Sequence, residues 1–296
     1  MTIPESQLET WSHQGSVTQS KNTYATVKLS LEDSSAGYSG ESYSIFLQGS
    51  YGNDTNIYAE SDVDIVMRLD SVFYYDISSL SAEDQARFNK NSSPGSTSYA
   101  AFKSQVVAQL EKRFGKSNVD ATKKAVKVKG DGNRRDSDVL VCAGFRYYKH
   151  YTGSSSDYTE GICFWNSTGV QVANYPRQHS QNCTTKHQGT ASYFKPMVRI
   201  LKNMRSRLVR DGYLTAGIAP SYYVEGLLYN VPADKFGKNY ETTFVSAINW
   251  ILQADRTKFV CANEHYYLLR DNTETCWPVA NGEAFLNAIT KLWNNW

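Results

Sequence analysis

The sequence predicts an α+β fold with two lobes, an N-terminal lobe over residues 1–175 and a C-terminal helical lobe over residues 176–296. Two observations support this prediction. Short apolar segments flanked by turn residues, which are typical of strands, lie before residue 176. Apolar residues at three- and four-residue spacing, which are typical of helices, dominate the rest of the chain. We therefore expect the N-terminal lobe to hold a small mixed sheet backed by helices.

The N-terminal lobe begins with a predicted long helix from Pro4 to about Leu31, which has a weak point at Gly15. Short apolar runs then predict strands, followed by a hairpin around an Asn-Ser-Thr-Gly turn. The predicted strands are 44–47, 63–69, 125–128 and 137–142, and the hairpin strands are 161–165 and 170–175. A helix is predicted over residues 99–114, whereas 80–97 and 130–135 are predicted loops because Ser, Asn, Asp and Gly dominate them.

Helices make up the predicted C-terminal lobe. They cover residues 194–208, 222–231, 241–254 and 282–296. Apolar residues recur on one face of the first of these helices. Lys195, Arg199 and Lys202 lie on the opposite face, and for Lys202 the spacing alone favours a solvated side chain.

The composition argues against several classes of protein. With 31 Lys and Arg against 29 Asp and Glu, the formal net charge is +2, which is too balanced for a dedicated nucleic-acid-binding surface. No apolar run approaches the roughly 18 residues that cross a bilayer, and the polar N-terminus lacks the apolar segment of a secretion signal. The 5 cysteines are scattered, without a Cys-x-x-Cys pair. These features predict a cytoplasmic protein with reduced thiols and with neither a membrane nor a nucleic acid as partner.

A Gly-Ser turn and a pair of aspartates carry the predicted chemistry. Gly49 and Ser50 follow the first predicted strand, and Asp62 and Asp64 open the second. Alternate residues of a strand point to the same face, so the two carboxylates project together and repel each other unless a cation lies between them. Mg²⁺ binds such carboxylates together with substrate phosphates, which Gly49 and Ser50 would allow to approach closely. The pattern predicts a site for a nucleoside triphosphate and a metal ion.

A third carboxylate from a neighbouring strand would complete a site for two metal ions. Asp138 is the preferred candidate because an unbroken apolar run follows it, and Asp136, which shares its face, is the second choice. Each motif is common on its own. Their order between predicted strands makes the combination specific.

These motifs resemble those of the polymerase-β-type nucleotidyltransferase superfamily. The chain as a whole is similar to the cGAS/DncV-like nucleotidyltransferases of bacterial antiphage signalling systems. Their pattern is an N-terminal spine helix, the Gly-Ser and Asp-x-Asp motifs, a third aspartate, and a helical lobe in which a lysine helix precedes Ser-Tyr. Lys202 and the pair Ser221-Tyr222 match the last two elements. The resemblance implies a bilobed, polymerase-β-like core.

The resemblance also implies roles for the three aspartates. Asp62, Asp64 and Asp138 would bind two Mg²⁺ ions, with Mn²⁺ as a substitute, and Asp138 would help to activate the attacking ribose hydroxyl.

The remaining matched residues would bind the nucleotide. Gly49 and Ser50 would hold the donor phosphates, Lys202 and Ser221 would contact the triphosphate, and Tyr222 would stack on the donor base. The position of Ser221 at a predicted helix start independently favours an anion there. For Lys202 the role depends on the resemblance.

An enzyme of this family joins nucleoside triphosphates by attack of a 3′- or 2′-hydroxyl on an α-phosphorus, with release of pyrophosphate. The implied product is a cyclic di- or trinucleotide, and the implied partner is a downstream effector protein that this product activates. Two alternatives stay open from the sequence. One is a template-independent transferase that acts on an RNA end or on a protein, and the other is a nucleotide-binding pseudoenzyme, which has no need of three clustered carboxylates.

His179, Cys183 and His187 have the four-residue spacing that places side chains on one face of a helix, as in some zinc sites. A fourth ligand is not apparent in the sequence, and the polar segment 176–189 gives only a weak helix signal. Polar contacts within the fold are therefore the favoured interpretation.

Overall fold

The computed structural model describes residues 2–15, 17–58, 62–122 and 124–296. The chain forms two compact units. The helical unit consists of Met1–Val17, Gln48–Ser61 and Pro176–Trp296, and the sheet unit consists of Thr18–Leu47 and Asp62–Tyr175. Two segments from the N-terminal part of the chain thus pack with the C-terminal helices, although the sequence assigned all of residues 1–175 to the first lobe.

The described residues form helices and strands with the following bounds, numbered in chain order. The helices are α1 (Glu5–Ser12), α2 (Thr18–Leu31), the single turn α3 (Gly49–Gly52), α4 (Ala82–Asn91), α5 (Tyr99–Phe114), α6 (Pro176–Gly189), α7 (Phe194–Arg210), α8 (Ser221–Tyr229), α9 (Tyr240–Gln253) and α10 (Val279–Asn294). The strands are β1 (Tyr43–Leu47), β2 (Val63–Asp76), β3 (Val119–Asp120), β4 (Val126–Val128), β5 (Ser137–Tyr151), β6 (Ser156–Trp165) and β7 (Gln171–Asn174).

In its described residues, the sheet unit holds a seven-stranded mixed sheet. The strand order is β1-β2-β5-β4-β3, and the C-terminal part of β5 pairs with β6, which pairs with β7. Only the central pair β2 and β5 is parallel among these described strands. Both strands carry runs of fully buried apolar residues, as expected for the centre of a sheet covered on both faces. The predicted mixed sheet is confirmed.

Three of the predicted strands are longer by five or more residues than the sequence indicated, and one of them is β6, which begins at Ser156 instead of residue 161. β2 continues to Asp76 and β5 continues to Tyr151, and the two stay paired beyond an irregularity between Leu69 and Phe73. Tyr148 on the extension packs with Phe88 of α4. Helix α4 lies within the predicted loop 80–97, so that prediction is wrong. The helix signal was a cap at Ser81, whose hydroxyl accepts from the Asp84 backbone N–H at 3.2 Å.

The predicted single helix from residue 4 to residue 31 is also wrong. The chain forms α1 and α2, which belong to different units. Gly15 lies between them, and its backbone N–H donates to the Asn56 carbonyl at 3.2 Å. A Cβ at this position would lie 2.6 Å from the carbonyl carbon of Ile57. The close backbone approach at Gly15 accounts for the break, and it involves a segment distant in sequence that helical periodicity does not show.

Helix α7 is the centre of the helical unit. Its apolar residues, including Met197, Leu201 and Met204, are fully buried and share one core with α1, α8, α9 and α10. The predicted helices of the C-terminal part are confirmed, and the polar segment α6 is helical as well. None of the helices in the described ranges has the length and apolar character needed to cross a membrane.

Candidate active site

The Gly-Ser loop, defined as residues 49–56, is a closed turn in the helical unit. Gly49 adopts a φ of 61°, a left-handed conformation that glycine accepts at little cost. The backbone N–H of Asn53 donates to the Gly49 carbonyl at 3.0 Å, and that of Thr55 donates to the Ser50 carbonyl at 2.9 Å. Asn53 and Thr55 are buried although their side chains are polar, so their hydrogen-bonding groups require partners inside the protein.

Basic residues of α7 supply part of those contacts. Lys202 is fully buried, and its Nζ donates to Ser50 Oγ and to the Thr55 carbonyl, both at 2.7 Å. Lys195 Nζ lies 3.0 Å from Asp54 Oδ2, and Arg199 Nη1 donates to the Asp54 carbonyl at 2.6 Å. The solvated side chain that the spacing alone favours for Lys202 is wrong, because this face of α7 packs on the Gly-Ser loop. The structure does bring Lys202 and Ser50 together.

Glu225 of α8 holds the other side of the loop. This carboxylate is buried, with 2% of its surface exposed. Its Oε2 accepts from Asn53 Nδ2 at 3.0 Å and lies 2.6 Å from His179 Nε2, and its Oε1 accepts from the Thr55 hydroxyl. Burial alone would raise the pKa of Glu225, but the hydrogen bond and charge of His179, the charge of Lys202 and the Thr55 hydroxyl together hold it below its usual value. Glu225 is therefore an ionised carboxylate, and the His179 Nε2–H is the donor.

Glu225 was not among the site residues predicted from the sequence. A signal was present, since Glu225 is the charged residue of an otherwise apolar and aromatic helix. A charged residue among apolar residues of a helix is expected to be buried and to need hydrogen-bond partners. The partners of Glu225 are distant in sequence, so the helix itself does not identify them.

Ser221 and Tyr222 open helix α8. The first turn of a helix presents free backbone N–H groups, which favours an anion near Ser221. Ser221 also lines an open cavity of about 490 Å³ together with Arg205 and Arg210. The ring of Tyr222 stacks on the imidazole of His179, with centroids 4.6 Å apart and planes 21° from parallel. Asn263 Nδ2 donates to the Tyr222 hydroxyl at 2.9 Å, which fixes the other end of the ring.

The carboxylates Asp62, Asp64 and Asp138 lie in the sheet unit. Asp64 and Asp138 are direct partners in the parallel pair of β2 and β5, so their side chains lie on the same face of neighbouring strands, about 5 Å apart at the backbone. Asp62 shares the face of Asp64 by strand alternation. Burial and the negative charge of Asp62 raise the pKa of Asp138. A cation would relieve this repulsion, and oxygen ligands of this type suit Mg²⁺.

Asp136 has a different role from Asp138. It accepts from the Gly130 backbone N–H at 2.7 Å and forms an ion pair with Lys127 at 3.0 Å. These two contacts lower the pKa of Asp136. Lys127 Nζ also lies 3.5 Å from Asp62 Oδ2. Asp136 thus closes the loop before β5, and Asp138 is the aspartate beside Asp64.

The candidate zinc ligands are only partly brought together. His179 and Cys183 form a buried cluster with Glu225, in which the ligand atoms lie within 4.8 Å of one another. His187 contacts Lys195 instead, through its Nδ1 and the backbone N–H at 3.4 Å. The oxygens of Glu225 already accept hydrogen bonds, and burial raises the pKa of the Cys183 thiol well above its usual value, whereas metal ligation requires a thiolate. The contacts support the interpretation as polar contacts within the fold.

Asp64 and Asp138 on the central parallel pair, Asp62 directly before β2, the Gly-Ser loop and the buried lysine that holds it are the features from which the sequence predicted a nucleotidyltransferase. Comparisons with known proteins agree. Residues 181–294 match the family model described as the cGAS/DncV-like nucleotidyltransferase C-terminal helical domain. The chain is 39% identical over 297 residues to the cyclic UMP-AMP synthase of Rhodothermus marinus, covering 100% of this chain and 99% of that protein.

Further relatives extend the similarity. The chain is 32% identical over 303 residues to the cyclic nucleotide synthase CdnE01 of Staphylococcus haemolyticus, with 100% of both proteins covered. The solved structure of the Rhodothermus marinus CdnE c-UMP-AMP synthase with Apcpp and Upnpp superposes with a TM-score of 0.89 at 37% identity, over 99% of this chain and 97% of that one. The Elizabethkingia meningoseptica CdnE structure gives a TM-score of 0.77 at 28% identity, over 99% and 98% of the two chains.

The chain therefore belongs to the cGAS/DncV-like nucleotidyltransferase family, in its CdnE type. It is an enzyme, a cyclic dinucleotide synthase that uses nucleoside triphosphates, and its family is metal-dependent. The predicted family, fold class and enzyme class are confirmed. The relatives are named as cyclic nucleotide synthases, which argues against the alternatives of a transferase to RNA or protein and of a pseudoenzyme.

Proposed function

We propose that the product is a cyclic dinucleotide of the UMP-AMP type, made from ATP and UTP. The observation that carries this proposal is the similarity to the Rhodothermus marinus cyclic UMP-AMP synthase over the whole of both chains. Base choice depends on contacts spread through a site rather than on the shared core motifs. Relatives named for dipurine or dipyrimidine products are less similar to this chain, at 32% identity.

The helical unit would bind the donor nucleotide. Ser50 and Lys202, which already share a hydrogen bond, would hold the phosphates over the backbone of Gly49. Ser221 would contact the triphosphate at the first turn of α8, where backbone N–H groups favour anions. Tyr222 would stack on the base, and stacking of this kind contributes roughly 1–3 kcal/mol.

The sheet unit would supply the carboxylates. Asp62, Asp64 and Asp138 would hold two Mg²⁺ ions, because they offer hard oxygen donors whose mutual repulsion a cation relieves. Bound Mg²⁺ supplies neutralisation of phosphate charge during transfer, and Mn²⁺ would substitute for it. Asp138 would also orient the attacking ribose hydroxyl. In each transfer the hydroxyl oxygen bonds to the α-phosphorus and the bond to pyrophosphate breaks, and the second transfer closes the ring.

A second messenger acts through a receptor. We propose as partner an effector protein that binds the cyclic dinucleotide, in the antiphage signalling that the family resemblance implies. Pull-down of cell protein on an immobilised form of the product, eluted with free product, tests this partner.

The function is tested by incubating the purified protein with each labelled nucleoside triphosphate and with their mixtures, in Mg²⁺ or Mn²⁺. A phosphatase-resistant small product that requires both ATP and UTP, and that the variant Asp64→Ala does not make, is the expected result. A product that requires other bases would overturn the proposed base choice. Label on added RNA or protein, with no small cyclic product, would overturn the proposed reaction.

A further inference from the structure

Glu225 is a buried acid to which the proposed reaction assigns no role. Its two oxygens accept hydrogen bonds from Asn53, Thr55 and His179. These donors come from the Gly-Ser loop and from α6, whereas Glu225 lies on α8. One carboxylate on α8 therefore holds the Gly-Ser loop and α6 together, and the Gly-Ser loop and α8 carry proposed phosphate and base contacts.

The charge of Glu225 also matches that of its surroundings. Lys202 is fully buried, and an ammonium in such a position is costly unless a counter-charge is near. Thr55 links the two charges, because its carbonyl accepts from Lys202 Nζ and its hydroxyl donates to Glu225 Oε1. After the hydrogen bond and charge of His179, the positive charge of Lys202 is a further contribution that holds the pKa of Glu225 below its usual value against the effect of burial. Glu225 is thus the counter-charge of the lysine that holds Ser50.

The third partner connects Glu225 to the ring of Tyr222. His179 donates to Glu225 through Nε2, which fixes the plane of its imidazole. The imidazole in turn covers one face of Tyr222 in a stacked contact. Stacked rings restrict each other's orientation, so the orientation of Tyr222 depends on the Glu225–His179 hydrogen bond.

We propose that Glu225 is a positioning residue of the nucleotide site, which fixes the Gly-Ser loop through Asn53 and Thr55, and fixes Tyr222 through His179. The proposal rests on the proposed function, since it takes the Gly-Ser loop and Tyr222 as nucleotide contacts. Glu225 itself would touch no substrate. It acts by holding phosphate and base contacts in one arrangement before the nucleotide arrives, which reduces the ordering needed on binding.

The test uses two isosteric variants that remove the interaction from opposite ends. Glu225→Gln removes the charge, and Thr55→Val removes one donor while the carboxylate stays. We expect KM for ATP and UTP to rise about tenfold or more in Glu225→Gln and by a smaller factor in Thr55→Val. The value of kcat should change less than about threefold in both variants, because the lost interactions position the bound substrate as well as the transition state. The control is Glu283→Gln, which removes the charge from the ion pair with Arg256, and it should leave both constants unchanged.

A purely structural role has a different signature. Partial unfolding lowers the active fraction, and hence the apparent kcat, but leaves KM as it is in the wild type. An unchanged KM in both variants therefore overturns the proposal, and if Glu225→Gln does not fold, Thr55→Val decides alone. Calorimetric binding of a non-hydrolysable ATP analogue to the same variants separates this proposal from the proposed reaction. If the wild type makes no cyclic dinucleotide, the proposed function is wrong. The role of Glu225 is then decided by binding of the analogue: a weaker affinity of the variants supports it, and an affinity equal to that of the wild type contradicts it.

Discussion

The two units balance their charged groups in opposite ways. In the helical unit, the Glu225 carboxylate is linked to the Lys202 ammonium through Thr55 and is hydrogen-bonded directly to His179. In the sheet unit, the acidic residues Asp64 and Asp138 occupy paired positions on neighbouring strands. Burial and the negative charge of Asp62 raise the pKa of Asp138. The charges of the helical unit are therefore balanced by groups of the protein itself, whereas a cation would stabilise the aspartates of the sheet unit.

The largest expected effect is on turnover and comes from the sheet unit. Asp64→Ala should lower kcat by at least about a hundredfold, since metal-assisted neutralisation of charge contributes several kcal/mol to such transfers. The fold should survive, because the change also removes like-charge repulsion. The measurement is cyclic dinucleotide synthesis beside a urea unfolding curve. Asp76→Ala, on the same strand but at its other end, is the matched control and should retain activity. Turnover by Asp64→Ala near the wild-type rate would exclude the proposed role of the carboxylates.

The next effect is on stability and comes from the helical unit. Lys202→Met removes one member of a buried charge network and should lower the free energy of unfolding by about 3 kcal/mol, because Glu225 loses a balancing charge. Lys195→Met is the matched control on the same helix. Its partner Asp54 is exposed to solvent, so the loss should be below about 1 kcal/mol. Urea midpoints of the two variants measure the difference, and equal losses would show that the network around Glu225 is not specially balanced.

A smaller effect of opposite sign is expected at Asp138. Because the folded state raises the pKa of this carboxyl, its ionised form destabilises the fold at neutral pH. Asp138→Asn should therefore unfold at a slightly higher urea concentration than the wild type, and its free energy of unfolding should be higher by less than about 1 kcal/mol. The control is Asp136→Asn, which removes the negative charge that pairs with Lys127; because the pKa of Asp136 is lowered, this change should destabilise the protein. Saturating Mg²⁺ should abolish the advantage of Asp138→Asn, since a bound cation stabilises only the folded wild type. A destabilised Asp138→Asn would contradict the proposed repulsion.

The sequence was sufficient for features that depend on local patterns. Helix α5 has the predicted bounds, and Gly49, Ser50, Asp62 and Asp64 follow from strand alternation and from the order of the motifs. The break between α1 and α2 did not follow, because it depends on the approach of the Gly15 backbone to Ile57. Helical spacing describes one helix at a time and contains no information on which distant segment packs against it.

The charged face of α7 shows the same limit at the site itself. Lys195, Arg199 and Lys202 have the spacing of an ordinary polar face, and this spacing contains no information on the Gly-Ser loop that covers the face. Glu225 could have been suspected as a charge in an apolar helix, but its donors Asn53 and Thr55 lie in another part of the chain. Residue chemistry led to the predicted ligands for metal and phosphate, while the buried groups that contact the Gly-Ser loop are visible only in three dimensions.

The smallest expected effect is on the pH dependence of stability, and its sign should differ between a variant of the helical unit and a variant of the sheet unit. Glu225 has a lowered pKa, so its carboxylate stabilises the fold at any pH above the ordinary pKa of 4.5. This stabilisation is lost as the pH falls through the lowered pKa. Asp138 has a raised pKa, so the penalty of its charge disappears as the pH falls through that raised value. Between pH 7 and about pH 3, Glu225→Gln should therefore lose less stability than the wild type, and Asp138→Asn should lose more. Urea midpoints of the three proteins across this range test both signs together, and parallel curves would contradict the contrast between a balanced and an unbalanced set of charges.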